Sequence, residues 1–558
     1  MEALLHAALK GQGFVPDDTI TTHLAWRGEV VVGQWTVPVR LELSDPEFMT
    51  APAVFLLDRP GPLANPQPHI SLDGGLCYLD GKLAVLDPYD PLGMLGTCLA
   101  KVHDLLADLI AGPGKADLVR EFPAMWFPER VMLVDLPAGF SGKAELRSYR
   151  SLSGGGMNCI AVSGESATVL AKTCLGGDSQ LEGSCPVRVV TVQGPVVAEG
   201  ALWPPKTAQQ FRAWLSGVSP DGVAQIDQDV VPKRKGDRTR AVVITSPNGM
   251  VGALIDIPSP LDTQEFRNRR RPIIRAFQDP AASWPLTRFG CIRTDRQHIY
   301  SRSLGDGMVT LEGKKILLVG CGTIGGFLAD LLAKVGAGAG GRFMLVDPDL
   351  LMPENIGRHL LGLADLLKHK AEGCRSHLKR KMGDILVEAF PYEVQRLRNT
   401  FESYDFIIDA TGEEPLSLWL NQRRVDALRG GKRFPPILHV WLHGAGSAAV
   451  GFLNTWPEGA CYKCLRPEYG KAWRHDPLKD GTDPGKVVLQ ACGDGTHIRY
   501  PVSASTQASA LALEMTLDWS RGTPGPILRS RQIDREVARA SFDRQPALSE
   551  NCPACRPR

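Results

Sequence analysis

Four cysteines near the C-terminus of this 558-residue chain stand in two chelating pairs, Cys461-x-x-Cys464 and Cys552-x-x-Cys555. Two such pairs supply the number and spacing of thiolates that a closed tetrahedral zinc site needs, with no open coordination position for catalysis. The expected metal is a structural Zn2+ that ties the extreme C-terminus back onto the preceding domain. A redox dithiol is the competing chemistry for either pair alone.

A second constellation starts at Gly320-Cys-Gly322-Thr-Ile-Gly325-Gly326. Small residues between a strand and a helix let backbone N–H groups approach phosphates at the positive helix end. Alone, the loop suits NAD, FAD or ATP, and Asp347, 22 residues beyond Gly325, could hold a ribose hydroxyl in each. The residues that follow separate these options. Asp349, Asn355, Arg358 and Lys370, then Asp409 in Asp409-Ala-Thr-Gly412, form a cluster for which a hydride site has no use. Asn355, Arg358 and Lys370 would neutralise a triphosphate while Asp409 holds the bridging Mg2+, which describes adenylyl transfer from ATP. Two of the other nine cysteines stand in loop-like sequence: Cys492 in a glycine-rich loop, and Cys77 after Asp73-Gly-Gly-Leu and a proline-rich stretch ending in Pro68-His69.

These groups need elements to position them. Apolar spacing predicts a helix over 2–10, strands over 29–32, 35–43 and 53–57, a loop carrying Cys77, and a helix over 91–110. That is a compact α+β domain over residues 1–130. Residues 131–294 read as a β-rich linker domain, with β-branched runs at 167–171, 187–192, 241–244 and 251–257 and a helix near 207–215. From 295 to 558 the pattern turns to βαβ. A strand over 315–319, the glycine loop, a helix to about Val335 and strands over 343–346, 406–408, 437–442 and 448–454 predict a doubly wound, mostly parallel sheet. A helical run over 503–519 follows Cys492. The fold class is thus α/β and α+β multidomain.

Composition excludes much else. Lys+Arg 63 against Asp+Glu 61 gives a net charge of +2, so nucleic acid and an anionic membrane are not expected as main partners. The basic clusters at 233–240 and 267–275 lack interleaved aromatics and read as solvated surface. No stretch reaches the roughly 18 apolar residues of a membrane span. The N-terminus, MEALLHAALKGQGF, lacks the basic start and apolar core of a secretory signal, so the cytoplasm is expected.

Residues 295–558 resemble the ubiquitin-activating enzymes and the bacterial ThiF-type enzymes that adenylate sulfur-carrier proteins. The motifs are Tyr300-Ser-Arg302, Gly320–Gly326, Asp347/Asp349, Asn355-x-x-Arg358, Lys370, Asp409-Ala-Thr-Gly412 and Cys461-Tyr-Lys-Cys464. The resemblance implies that Arg302 reaches the nucleotide of a neighbouring subunit, hence a homodimer, and that Cys492, on the crossover segment, accepts the acyl group as a thioester. Residues 1–130 resemble a ubiquitin-conjugating enzyme with Cys77 as thioester cysteine. His69 matches the first residue of that family's His-Pro-Asn signature, but the Pro and Asn are absent and His69 stands two residues closer to the cysteine.

With both halves on one chain, the whole resembles the CD-NTase-associated activating–conjugating proteins of bacterial antiphage (CBASS) operons. The resemblance implies adenylation of a partner protein's C-terminal, glycine-like tail, transfer to Cys492, then Cys77, then a target amine. The implied partner is a cGAS-like nucleotidyltransferase or, in related operons, a ubiquitin-like protein. A sulfur-carrier adenylyltransferase is the alternative; it needs the ATP and zinc sites but has no use for Cys77.

Overall fold

Alternating apolar residues build the first sheet. In the strands Leu24–Val32 and Trp35–Leu43, Val30, Val37, Val39 and Leu41 face inward. The strands pair antiparallel across a two-residue turn whose Gly33 takes φ +59, the left-handed geometry that matches hairpin twist. Ala53–Leu56 extends the sheet on one side and Val15–Pro16 on the other. Helices Glu2–Gly11 and Pro91–Ala111 bury Leu5, Leu9, Leu95, Val102 and Leu106 against it. The second helix starts where Asp90 accepts the Gly93 N–H at 2.9 Å and Pro91 fills a first-turn position that needs no donor.

The computed structural model describes all residues except 1, 80–85, 113, 199–202, 303, 305–308, 384, 398–399, 469, 483–487, 490–495, 498 and 557–558. The chain divides into two compact units, Met1–Thr294 and Asp295–Arg558. No helix among the described residues is long and apolar enough to cross a membrane.

Beyond its four-stranded sheet, the first unit contains a closed seven-stranded barrel that joins Arg130–Asp135, Gly142–Arg150, Gly156–Ala161, Gln180–Thr191, Thr239–Ser246, Gly249–Asp256 and Leu286–Arg293. Met132, Val134, Leu146, Ile160, Val189, Val243 and Phe289 fill it. Gly252 lets the Phe289 ring in, since a Cβ there would stand 2.1 Å from the ring. The run 167–171, expected as β-branched strand, lies instead on the helix Gly164–Leu175. Ser163 caps that helix by accepting the Ser166 N–H, and Ala167 and Ala171, one turn apart, are its buried contacts.

The second unit is built on an eight-stranded sheet in the order Val387–Phe390, Arg342–Val346, Lys315–Val319, Phe406–Asp409, Ile437–His443, Ala448–Asn454, Leu528–Gln532 and Phe542–Arg544. The first five strands are mutually parallel and the last three join antiparallel. After Lys315–Val319 the chain winds outward on one side, then returns to lay Phe406–Asp409 on the other. That reversal opens a crevice beyond the carboxyl ends of these two strands, where open α/β sheets bind ligands.

Candidate nucleotide, thiol and metal sites

The glycine loop lies in this crevice. Gly320 takes φ +87, and a Cβ on it would stand 3.0 Å from the Ala410 backbone, so the loop and the strand end after Asp409 close on each other. A Cβ on Gly325 would come within 1.8 Å of the Gly320 carbonyl oxygen. Only glycine permits that approach of helix to strand. Gly322, which has no side chain to cap it, precedes the helix Thr323–Lys334, and among the described residues its first N–H groups are open to an anion. Open space around a Cβ on Gly322 leaves room for a phosphate beside the backbone. The loop therefore fits a nucleotide.

The acidic partners hold the loop itself. Asp347, buried at the end of Arg342–Val346, accepts the Cys321 N–H at 2.7 Å on one oxygen and the Asp349 N–H at 2.9 Å on the other. Burial pushes its carboxyl up, against the pull of the Lys370 charge. Asp349 is exposed and pairs with Lys370 Nζ at 2.9 Å. Asn355 accepts the Met352 N–H at 3.0 Å, closing the 3-10 turn Pro353–Arg358 and keeping its amide NH2 for other partners.

The structure adds three groups that spacing did not single out. His359 accepts the Leu361 N–H on Nδ1, so its Nε2 carries the proton and donates to the Cys321 carbonyl at 2.7 Å. Burial holds this imidazole below its ordinary value and thus neutral. Tyr500 bonds Thr323 Oγ1 at 2.9 Å at the helix start, and the Arg358 guanidinium lies over its ring at 4.5 Å. His439 donates from Nδ1 to Asp409 at 2.8 Å.

Asp409 departs from its expected role. It is 1% exposed, with Thr411 Oγ1 at 2.7 Å on one oxygen and Ser417 Oγ at 2.5 Å with His439 Nδ1 on the other. Burial opposes its ionisation, but His439, Ser417 and Thr411 outweigh it and hold the carboxyl below its usual value. A carboxylate so saturated does not fit a magnesium ligand, which would have to displace Ser417 or His439. Its geometry positions the end of the strand that faces Gly320. Arg302, following the helix Arg296–Ser301, is exposed, and its bond at 3.4 Å goes to His298 on its own helix rather than to the glycine loop. Cys492 lies outside the described residues; Val488–Leu489 and Thr496–His497 pair antiparallel on either side of it.

Cys77 is exposed at the end of a small hairpin. Its N–H donates to the His69 carbonyl at 2.9 Å, and Ile70 bridges Leu76. His69 adopts φ +62, a left-handed conformation uncommon for a non-glycine residue, which turns the chain into the hairpin. Gly74, at φ +90, packs where a Cβ would meet the Leu56 oxygen at 2.6 Å. The cysteine borders a concavity of about 540 Å³. One wall comes from Pro52 to Phe55 and the other from Glu121, Ala124, Met125 and Phe127, a short segment that sequence patterning left featureless. Met125 also belongs to the core packed by the helices Ala208–Val218, Pro220–Asp229 and Arg270–Gln278. Ala124 is exposed there, so Ala124→Trp should fill the concavity without disturbing that core. If Cys77 carries the acyl tail that the conjugating-enzyme resemblance implies, conjugation should fall at least about tenfold, with adenylation and melting temperature unchanged. Single-turnover discharge of the Cys77 adduct measures this.

Cys461, Cys464, Cys552 and Cys555 converge as predicted, all buried, with sulfurs within 4.8 Å of one another. Neighbouring sulfurs stand 3.4–3.7 Å apart, too far for disulfides and near the roughly 3.8 Å edge of a tetrahedron with about 2.3 Å Zn–S bonds. The Ser549 N–H reaches Cys464 Sγ at 3.4 Å. The neighbouring Cys464 and Cys552 sulfurs push the Cys461 thiol up, and burial together with Cys464 pushes Cys555 up to about 12. Four adjacent thiolates need a soft divalent cation, and the donor set fits zinc. Cys552→Ser should remove about one zinc per chain by elemental analysis. The melting temperature should drop by about 4–8 °C, the effect of losing roughly 2 kcal/mol in a domain of this size.

Comparison with known proteins agrees with both halves. Residues 2–131 match Prokaryotic E2 family B, and residues 294–509 match the ThiF family. An ATP-dependent ubiquitin transferase-like protein Cap2 of Pseudomonas aeruginosa is 34% identical over 543 residues, covering 93% of this chain and 91% of that protein. Its Escherichia coli namesake is 26% identical over 561 residues, with the same shares covered. The SAMP-activating enzyme E1 of Haloferax volcanii aligns at 23% identity with 46% of this chain and 87% of its own length. Taken with the glycine loop at the sheet's switch point and the exposed Cys77, these likenesses show that the chain belongs to the ATP-dependent ubiquitin transferase-like Cap2 family, enzymes uniting an E2-like and a ThiF-type domain.

Proposed function

We propose that ATP binds in the crevice over Gly320, Gly322 and Gly325, with Asn355, Arg358 and Lys370 around its phosphates, and that a partner protein's C-terminal carboxylate attacks the α-phosphate. The bond to the β-phosphate breaks and pyrophosphate leaves. Asp347 orients the loop and its Cys321 N–H; Asp409 and His359 fix the walls behind it. Magnesium would arrive with the triphosphate, whose phosphate oxygens and retained waters would supply most of its ligands. Cys492 then attacks the acyl carbon and AMP leaves; Cys77 takes the acyl group by thiol exchange, freeing Cys492. A target amine attacks the Cys77 thioester, forms the isopeptide bond and releases the thiol.

One observation carries this reading: an uncapped glycine loop at a parallel-sheet switch point shares its chain with an exposed cysteine bordering a tail-sized concavity. The division of the first unit near residue 130 into conjugating and linker domains, a homodimer completed by Arg302, structural zinc and a cytoplasmic site of action belong to the same reading. The transferred protein is a cGAS-like nucleotidyltransferase, or a ubiquitin-like protein in a related operon. Partner-dependent ATP–pyrophosphate exchange tests it. A partner with a free C-terminal carboxylate should support exchange and the same protein amidated at its C-terminus should not; equal exchange with both would refute carboxyl activation.

A further inference from the structure

Three neighbouring barrel strands, Gly142–Arg150, Gln180–Thr191 and Thr239–Ser246, carry a like-charge pair. Lys143 stands directly opposite Arg188, an arrangement that destabilises a sheet unless an anion is near. Asp229 answers Arg188 at 2.5 Å. Around them lie two concavities of about 520 and 940 Å³ that share Lys143, Arg188, Asp229, Lys233 and Arg234. Of the fifteen residues lining the larger, seven are Lys or Arg and one, Asp229, is acidic. Arg188 and Arg267 are ion-paired. The other five cations, Lys143, Lys233, Arg234, Lys235 and Arg270, have no ion-pair partner among the described residues. Arg270 opens the helix Arg270–Gln278, where the dipole disfavours a cation. On a chain of net charge +2 this is a local excess of positive charge in a concave surface, offset in part in the smaller concavity by Glu145 and by Asp237, which feels the charge of Arg234.

We propose that this cleft docks an acidic segment of a protein partner, alongside and independently of the chemistry at the glycine loop and Cys77. Among the described residues no aromatic side chain lines either concavity to stack on bases, as single-stranded nucleic acid requires. Gln225, Gln228, Gln264 and Asn268 instead offer amides that match the donors and acceptors of a peptide backbone. In the smaller concavity Pro186, Val187, Ile226 and Val242 provide an apolar floor for side chains flanking the acids. An acidic tether held here would raise the effective concentration of the partner at the enzyme's thiols.

The test uses the full chain and a fluorescein-labelled ten-residue Glu/Gly peptide read by anisotropy, with an oligothymidylate of equal charge alongside. The peptide should bind with steep salt dependence and outcompete the oligonucleotide. The exposed-loop variant Lys233→Glu/Arg234→Glu/Lys235→Glu should weaken it at least about tenfold. Lys143→Glu/Arg270→Glu, on other elements, should do the same, and both should keep parental pyrophosphate exchange and melting temperature. Unchanged peptide affinity in either folded variant, or binding of the oligonucleotide in preference to the peptide, overturns the proposal.

Discussion

Cys77→Ala should abolish conjugates while leaving ATP–pyrophosphate exchange at the parental level. The cysteine sits exposed at a hairpin end, fixed by its backbone bond to His69, and among the described residues its sulfur makes no bond that supports the fold. Alanine should therefore remove a nucleophile and little else. Loss of a covalent nucleophile costs at least about a thousandfold in rate, so isopeptide product should fall below detection on gels. A sulfur-carrier adenylyltransferase would give unchanged product in this variant, since it makes no use of this thiol. Retained conjugation in a folded Cys77→Ala protein would contradict the relay.

The second large effect falls on the glycine loop, where two neighbouring glycines should behave differently. Gly325→Ala puts a methyl group 1.8 Å from the Gly320 oxygen, a contact only backbone movement relieves. We expect a loss of adenylation of at least about a hundredfold, the scale set by an ångström of misplacement, together with a lowered melting temperature. Gly322→Ala meets nothing within 4 Å and keeps a φ of −74 that alanine tolerates. It should melt like the parent yet bind ATP weakly, because the methyl group occupies the space a phosphate needs. Calorimetric melting with ATP titration separates the two; equal behaviour would show that the loop does not cradle phosphate.

Local chemistry made much of this legible beforehand. The glycine spacing, the two CxxC pairs and the alternation in 35–43 are short-range signals, and the structure realises each of them. The run 167–171 misled because Ala and Val lack a decisive period over five residues, whereas the Ser163 cap decides for helix. Barrel closure was hidden for a different reason. Arg130–Asp135 pairs in parallel with both Gly156–Ala161 and Leu286–Arg293, and no local pattern encodes the second partner, whose Phe289 stands opposite Arg130. Within the site, the sequence picked out Asp409 as an acid but not the three residues that donate to it, Thr411, Ser417 and His439, which make it a buried support instead of an exposed ligand. His359 and Tyr500 escaped notice because the contacts through which they act, His359 to the Cys321 carbonyl and Tyr500 to Thr323 and Arg358, are made only by folding. The wall of Ala124 and Met125 beside Cys77 is likewise set by tertiary packing.

Intact mass spectrometry of the purified enzyme with ATP and its cognate partner tests the central claim most directly. We predict an ATP-dependent adduct at Cys77, equal to the partner mass less one water and released by reductant, which Cys77→Ser converts into a reductant-resistant ester. Pyrophosphate release with no adduct at Cys77, with every cognate protein supplied, would contradict the account.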